Sequence, residues 1–275
     1  MKKQMVQECF MKAITWAAAL ITVGILLFLV GFILVRGIPY LKPSLFSFHY
    51  NSENVSLMPA LLSTILMTLL SLVIAVPLGV FASIYLSEYA RKGSRAVSVI
   101  RVTAETLSGI PSILYGLFGM LFFVTQLGWG FSLLAGAFTL SIMILPLIMR
   151  TSEEALQAVP DLYREGSYGL GAGKLWTVFR IVLPAAIPGI FAGIILAIGR
   201  IVGETAALIY TAGTVAQIPS SPMMSARTLS VHMYALSSEG LHTNEGYATA
   251  VVLLAVVVLI NTLSSRIVKR IGGTI

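Results

Sequence analysis

Charged residues are scarce in this chain. Asp, Glu, Lys and Arg supply 11% of its 275 residues, whereas a soluble domain carries about a quarter. A water-soluble fold of this size has nowhere to place the 57% that are hydrophobic, so the bilayer is the solvent that the composition fits. Cysteine occurs once, at Cys9, which excludes an intramolecular disulfide and leaves redox chemistry without a partner thiol. His49, His232 and His242 lack metal-ligand spacing, and no metal site is expected. There is no G-x-S-x-G elbow, no H-E-x-x-H pair and no CxxC, so no catalytic residue is assigned. Gly169-Leu170-Gly171-Ala172-Gly173-Lys174 imitates a phosphate-cradling loop. The pattern G-x-x-x-x-G-K-[ST], however, needs glycine where Tyr168 stands and Ser or Thr where Leu175 stands. Any ATP must therefore be hydrolysed elsewhere, and the chain itself is expected to hold no cofactor. Fixed-period repeats and low-complexity tails are also absent.

What is present is a succession of apolar runs. About 20 residues at 1.5 Å each cross a hydrocarbon core of about 30 Å. By that measure six spans are predicted, at 14–35, 58–86, 103–125, 131–149, 184–212 and 247–264, forming one all-α transmembrane domain over 1–275. The first run exceeds the roughly 7–15 residues of a signal-peptide core and lacks a small-x-small cleavage site, so it reads as a retained span. The net charge of +7 would suit nucleic acid only as a basic patch on a folded surface; here the cations sit between apolar runs. With the N-terminus inside, fourteen cations collect on one side: Lys2, Lys3, Lys12, Arg91, Lys92, Arg95, Arg101, Arg150, Arg164, Lys174, Arg180, Arg266, Lys269 and Arg270. Arg36, Lys42 and Arg227 collect on the other. That bias predicts both termini in the cytoplasm. Three connections are long, 36–57 and 213–246 outside and 150–183 inside. The inner one alternates charge with Leu156, Leu162, Leu170, Leu175, Trp176 and Phe179, a pattern for short amphipathic helices.

Polar residues inside the apolar runs carry the functional signal. Arg200 and Glu204 fall near the middle of the fifth span, spaced i, i+4, where they share a helix face and are expected to form an ion pair. An ionised side chain at mid-bilayer costs at least about 2.5 kcal/mol, and such groups face a bundle interior or a wet cavity. Gly199 and Gly203 would thin the helix there and admit a neighbour. Arginine suits an oxyanion site, because its planar fork binds such groups bidentately and stays charged. Arg150, at the end of the fourth span, is read as an interfacial anchor with a possible place in the cytoplasmic mouth. Glu105 is expected to pair with Arg101 four residues before it. Gly109, Pro111, Gly116 and Gly119 interrupt the third span, and Pro77 with Gly79 the second; broken helices line solute paths in several transporter folds.

The inner loop reads Glu165-Gly166-Ser167, three residues, Gly171, nine residues, Ile181-Val182-Leu183-Pro184. It resembles the EAA signature of ABC-importer permeases, with Gly166 and Ser167 in place of two alanines. Gly171 can turn the chain between two short helices. Ile74-Ala75-Val76-Pro77-Leu78-Gly79, Ile84-Tyr85-Leu86-Ser87-Glu88-Tyr89 and Gly109-Ile110-Pro111-Ser112-Ile113-Leu114-Tyr115-Gly116 are similar to segments of phosphate-importer permeases. Gly203-Glu204-Thr205-Ala206-Ala207 resembles their G-E-T-A motif, with Ala207 where proline is frequent. Together these cover most of residues 60–212, and the match is nearest the PstA-type subunit.

The resemblance implies a type I ABC-importer permease fold in a bacterial cytoplasmic membrane and the import of inorganic phosphate. Implied partners are a PstC-like permease, a dimer of ATPase subunits using ATP and magnesium, and an extracytoplasmic phosphate-binding protein. Contact with lipid is expected, and none with nucleic acid. By carry-over, Arg200, Glu204 and Arg150 belong to the substrate pathway, while Glu165, Gly166, Ser167, Gly171 and Pro184 belong to the ATPase-coupling loop. Alternatives are a permease for another oxyanion such as sulfate or molybdate, an ion-coupled secondary transporter, and a non-transporting membrane scaffold.

Overall fold

A computed structural model describes residues 2–91 and 93–272. Lys92, counted among the cytoplasmic cations, lies outside the described residues, as do the side chains of Lys2, Lys3, Cys9, Lys269 and Arg270. The described chain is all helix and loop. Helix α1 (Lys2–Gly37) precedes α2 (Met58–Ile84), which continues as a π turn over Tyr85–Tyr89. Then come α3 (Arg95–Ser108), α4 (Ser112–Gly119) with a π turn over Met120–Gln126, and α5 (Leu133–Gln157). On the loop side lie α6 (Asp161–Gly169) and α7 (Lys174–Thr177), the latter running through a π turn over Val178–Val182 into α8 (Leu183–Gly203). Helices α9 (Ala206–Thr211), α10 (Leu229–Glu239) and α11 (Thr243–Gly272) complete the chain. Five helices among the described residues are long and apolar enough to cross a bilayer, and the pair α3 and α4, bent by 99°, makes a sixth crossing if counted as one.

Helix α5 is the centre: 67% of its apolar window is buried, against 28% for α2 and for α8. Its face of Leu140, Met143, Ile144 and Ile148 packs on Met67 and Ala75 of α2 and on Ala197 and Ile201 of α8. Ser132 caps its start by accepting from the Ala135 N–H at 3.2 Å, satisfying one of the donors a helix leaves open. Serines tie α2 to α5 where lipid offers no competing water: Ser71 Oγ donates to the Ala137 carbonyl at 3.3 Å and Ser141 Oγ to the Ser71 carbonyl at 3.1 Å. Helix α1 lies along α11, with Phe32 edge-on to Tyr247 and Gly37 against the Tyr247 backbone, and none of its apolar window is buried in the bundle.

Proline and glycine act differently from the sequence expectation. Helix α2 passes through Pro77 without ending, and Gly79 gives α5 room to approach: a Cβ there would lie 2.8 Å from Ile148 Cγ2. The second span is therefore not interrupted. The third is broken, but at Gly109–Pro111 alone. A proline disfavours helical backbone in the residue before it, and α4 restarts directly after Pro111.

Candidate functional site

The fifth span is not one helix. Helix α8 stops at Gly203, and Glu204 adopts an extended conformation (φ −73°, ψ 127°). Arg200 and Glu204 consequently do not share a helix face, and no ion pair joins them among the described residues. The expected pair is corrected by what the Glu204 carboxylate does instead. Its Oε1 accepts from the Ala207 N–H at 3.0 Å, covering an open donor at the start of α9, while its carbonyl accepts from Ser230 Oγ at 2.6 Å. A carboxylate at a helix N-terminus is favoured by the unpaired N–H groups there. Glu204 is thus 9% exposed and engaged with the backbone.

Arg200 is left half-buried at the end of α8 with no hydrogen-bond partner among the described residues. Gly199 and Gly203 do not admit a neighbouring helix of this chain, since a Cβ at either would meet nothing within 4 Å. The close approach occurs on α4: a Cβ at Gly116 would lie 2.7 Å from Ala207 Cα, and one at Gly119 would run into Thr139 and Thr211. Both chain breaks therefore meet, with α4, restarted after Pro111, seated on α9, restarted after Thr205. Tyr115, within electrostatic reach of Arg200, bridges the first break by donating its hydroxyl to the Leu107 carbonyl at 2.7 Å.

Below this junction a cavity of about 600 Å³ is lined by Arg101, Glu105, Ser108, Arg150, Glu153 and Glu154, among others. Arg150 is exposed, 3.0 Å from Glu154 and 3.8 Å from Glu105. Arg101 pairs with Glu153 of α5, so the expected Arg101–Glu105 pair is not formed. The bent α3 brings Arg101 beside α5, where Glu153 is the closer carboxylate. Arg200 and Arg150 are not brought together by any direct contact.

The coupling-loop residues follow the end of α5. Glu165 and Gly166 are exposed on α6, with open space beside Gly166, and Ser167 is buried with its hydroxyl 2.8 Å from that of Thr177. Gly171 takes φ +84°, a conformation glycine adopts without a Cβ penalty, and it turns the chain toward α7. Pro184 stands just after the π turn over Val178–Val182, inside the continuous α7–α8 run. Leu162, Leu170, Leu175 and Trp176 project outward, Leu170 at 92% exposure. An apolar surface of that kind beside a membrane marks an interaction site.

Two clusters have no counterpart in the sequence reading. Arg164 on α6 binds Glu88 of the π turn after α2 at 2.6 Å, with side-chain exposures of 15% and 6%. Hydrogen bonding to Glu88 raises the Arg164 pKa, burial opposing, and keeps the guanidinium charged. On the opposite end, Arg227 donates to the Thr214 carbonyl at 2.6 Å, lies 3.4 Å from His232 Nδ1 and sits over the Tyr50 ring. Arginine can only donate, so Nδ1 accepts and the proton is on Nε2. Burial lowers the His232 pKa to about 4, the Arg227 charge acting the same way and the Val55 backbone opposing. Glu88 is 76 residues from Arg164, and Tyr50 is likewise remote from Arg227, so spacing does not expose these contacts.

Fold and site together define a polytopic membrane protein of the importer-permease type. Residues 75–273 match the family described as the binding-protein-dependent transport system inner membrane component, and the chain belongs to that family. It is 38% identical over 168 residues to a probable ABC transporter permease protein, YqgI, of Bacillus subtilis, covering 56% of this chain and 57% of that protein. To the phosphate transport system permease protein PstA 2 of Mycobacterium bovis it is 46% identical over 127 residues, covering 46% and 42%. The matched stretch thus spans about half the length of these curated relatives. Among solved structures, a bacterial ABC transporter involved in the import of alginate aligns over 92% of this chain and 96% of its own, with TM-score 0.66 and 17% identity. The MetNI methionine ABC transporter, facing inward, aligns over 87% and 96% with TM-score 0.59 and 22% identity. These likenesses place the fold among type I ABC-importer permeases.

Proposed function

We propose that the chain is the pathway-forming permease subunit of an ATP-driven importer of inorganic phosphate. It would work in the bacterial cytoplasmic membrane with both termini inside, beside a PstC-like permease and above two ATPase subunits that hold ATP and magnesium. An extracytoplasmic phosphate-binding protein would deliver the anion to the loops around Tyr50 and Arg227. The observation that carries the proposal is Arg200, a guanidinium within a membrane span, beside two helix breaks and without a partner among the described residues. A charge in that position is costly, and a passing oxyanion is the partner its planar fork fits. Glu204 supports the role by holding α9 in place instead of neutralising the arginine. The names of the PstA relatives favour phosphate among oxyanions.

Reconstituted vesicles containing the complete transporter test the idea. Arg200→Ala should insert and assemble normally yet lose phosphate uptake by about a hundredfold, and Arg200→Lys should recover part of it, since a point charge replaces the fork. Uptake at the wild-type rate in Arg200→Ala would refute the assignment. Competition of labelled phosphate uptake by excess sulfate or molybdate separates phosphate from the other oxyanions. Uptake by this chain without ATPase subunits, under an ion gradient, would point to a secondary transporter instead.

A further inference from the structure

Helix α6 is attached to the bundle by very little. Its one fully buried residue is Ser167, bonded to Thr177 at the start of the α7–α8 run. Leu162, Tyr163, Glu165 and Tyr168 face outward. The remaining anchor is Arg164, and it uses every donor it has. Nε points at Glu88, 3.2 Å from Oε1 and 3.4 Å from Oε2, and Nη2 reaches Oε1 at 2.6 Å. Nη2 also donates to the Leu156 carbonyl at 2.9 Å. Nη1 donates to the Val159 carbonyl at 2.8 Å and to Asp161 Oδ1 at 3.1 Å. Leu156 belongs to the last turn of α5, whose carbonyls lack partners within the helix. Glu88 belongs to the π turn that ends α2. A single guanidinium therefore joins three elements: α6, the cytoplasmic end of α2 and the cytoplasmic end of α5.

We propose that the Arg164–Glu88 pair is the strut through which α6 moves α2 and α5, making Arg164 a positioning residue for coupling and not a docking residue. The proposal rests on the reading of α6 as the element that meets the ATPase. Two observations favour transmission over docking. The pair is mostly buried, at the floor of a cavity of about 460 Å³, so a partner meeting the exposed face of α6 would touch Leu162 and Glu165 before the guanidinium. A forked, multiply bonded contact between buried charges also resists shear, whereas a surface ion pair exchanges with water. Helices α2 and α5 in turn carry the core against which α8, and so Arg200, is packed. A displacement at α6 thus has a continuous packed route to the pathway. Ser167–Thr177 supplies the parallel route into α8.

The test uses the complete transporter in nanodiscs with its binding protein and phosphate. Three quantities are read: ATPase subunits retained per permease, ATP hydrolysis without binding protein, and its stimulation by loaded binding protein. Arg164→Lys keeps the charge and loses the fork; Glu88→Gln keeps the shape and loses the charge. Both should retain the ATPase subunits and the unstimulated hydrolysis while stimulation falls about tenfold, within the range by which residues on a coupling route act. Stimulation is read as a ratio because a folding defect would lower both rates together and leave it unchanged. Wild-type stimulation in both variants would overturn the strut. So would loss of the ATPase subunits from the variants alone, which would make Arg164 part of the docking face. Failure of the unaltered chain to retain ATPase subunits would instead refute the coupling-loop reading itself.

Discussion

Arg200 has no carboxylate partner among the described residues, while the carboxylate four residues away is occupied with backbone. This division of labour decides the chemistry of the junction. A paired arginine would have to surrender its carboxylate before meeting an anion, and the exchange would cost much of the attraction. With Glu204 committed to α9, that cost is absent. At the same scale, His232 makes a test that needs no transport. Its native pKa of about 4 lies below the ordinary value of 6.5. As pH falls below 6.5 the unfolded chain takes up a proton that the fold refuses until about 4, so stability declines across that window and levels off beneath it. The loss should total roughly 3 kcal/mol. Thermal unfolding of the detergent-solubilised protein should show it, and His232→Asn, whose side-chain oxygen can accept from Arg227 without titrating, should flatten the curve between pH 6.5 and 4. Parallel curves for the two proteins would contradict the assignment.

At the scale of elements, glycines separate into those that packing needs and those that it does not. Gly116 lets α4 rest on α9, where an added Cβ would meet the Ala207 backbone. Gly116→Ala should therefore displace α4 and lower stability by about 1–3 kcal/mol, the usual range for overpacking. Gly166 on α6 has nothing within 4 Å. Gly166→Ala should raise the melting temperature slightly, because glycine in a helix interior costs about 1 kcal/mol relative to alanine. Reversal of this order in a melting series would show that the α4–α9 contact is looser than described. Legibility followed the same line. That the third span breaks could be read from Gly109 and Pro111, because prolyl sterics act on the residue just before the ring. That Gly116 is a contact and Pro77 is harmless could not, since each depends on what stands opposite.

For the whole molecule, the proposed topology puts the α6–α7 segment inside and the loop before α10 outside, as the distribution of cations around the apolar helices predicts. On a Cys9→Ser background, Ser220→Cys should react with an impermeant maleimide added to right-side-out vesicles. Leu170→Cys, at the most exposed large apolar position of the inner segment, should react only after permeabilisation. The opposite labelling would invert the protein and remove α6 from reach of any cytoplasmic ATPase. The core around α5 reaches Ala226 and Val231, beside the Arg227–His232 cluster, and the end of α5 carries the Leu156 carbonyl that Arg164 binds.

The sequence by itself determined the solvent, the apolar spans and the short motifs at 165–184 and 203–207, but not the break between α8 and α9. Transfer energies add along the chain, and turn chemistry acts over a few residues. Which partner each charge takes was decided only by tertiary structure: Arg101 found Glu153 and Arg164 found Glu88, 52 and 76 residues away. Glu204 passed over the arginine four residues behind it for a backbone N–H ahead. Electrostatic pairing depends on distance in space, and the helix end at Gly203 sets that distance for Arg200.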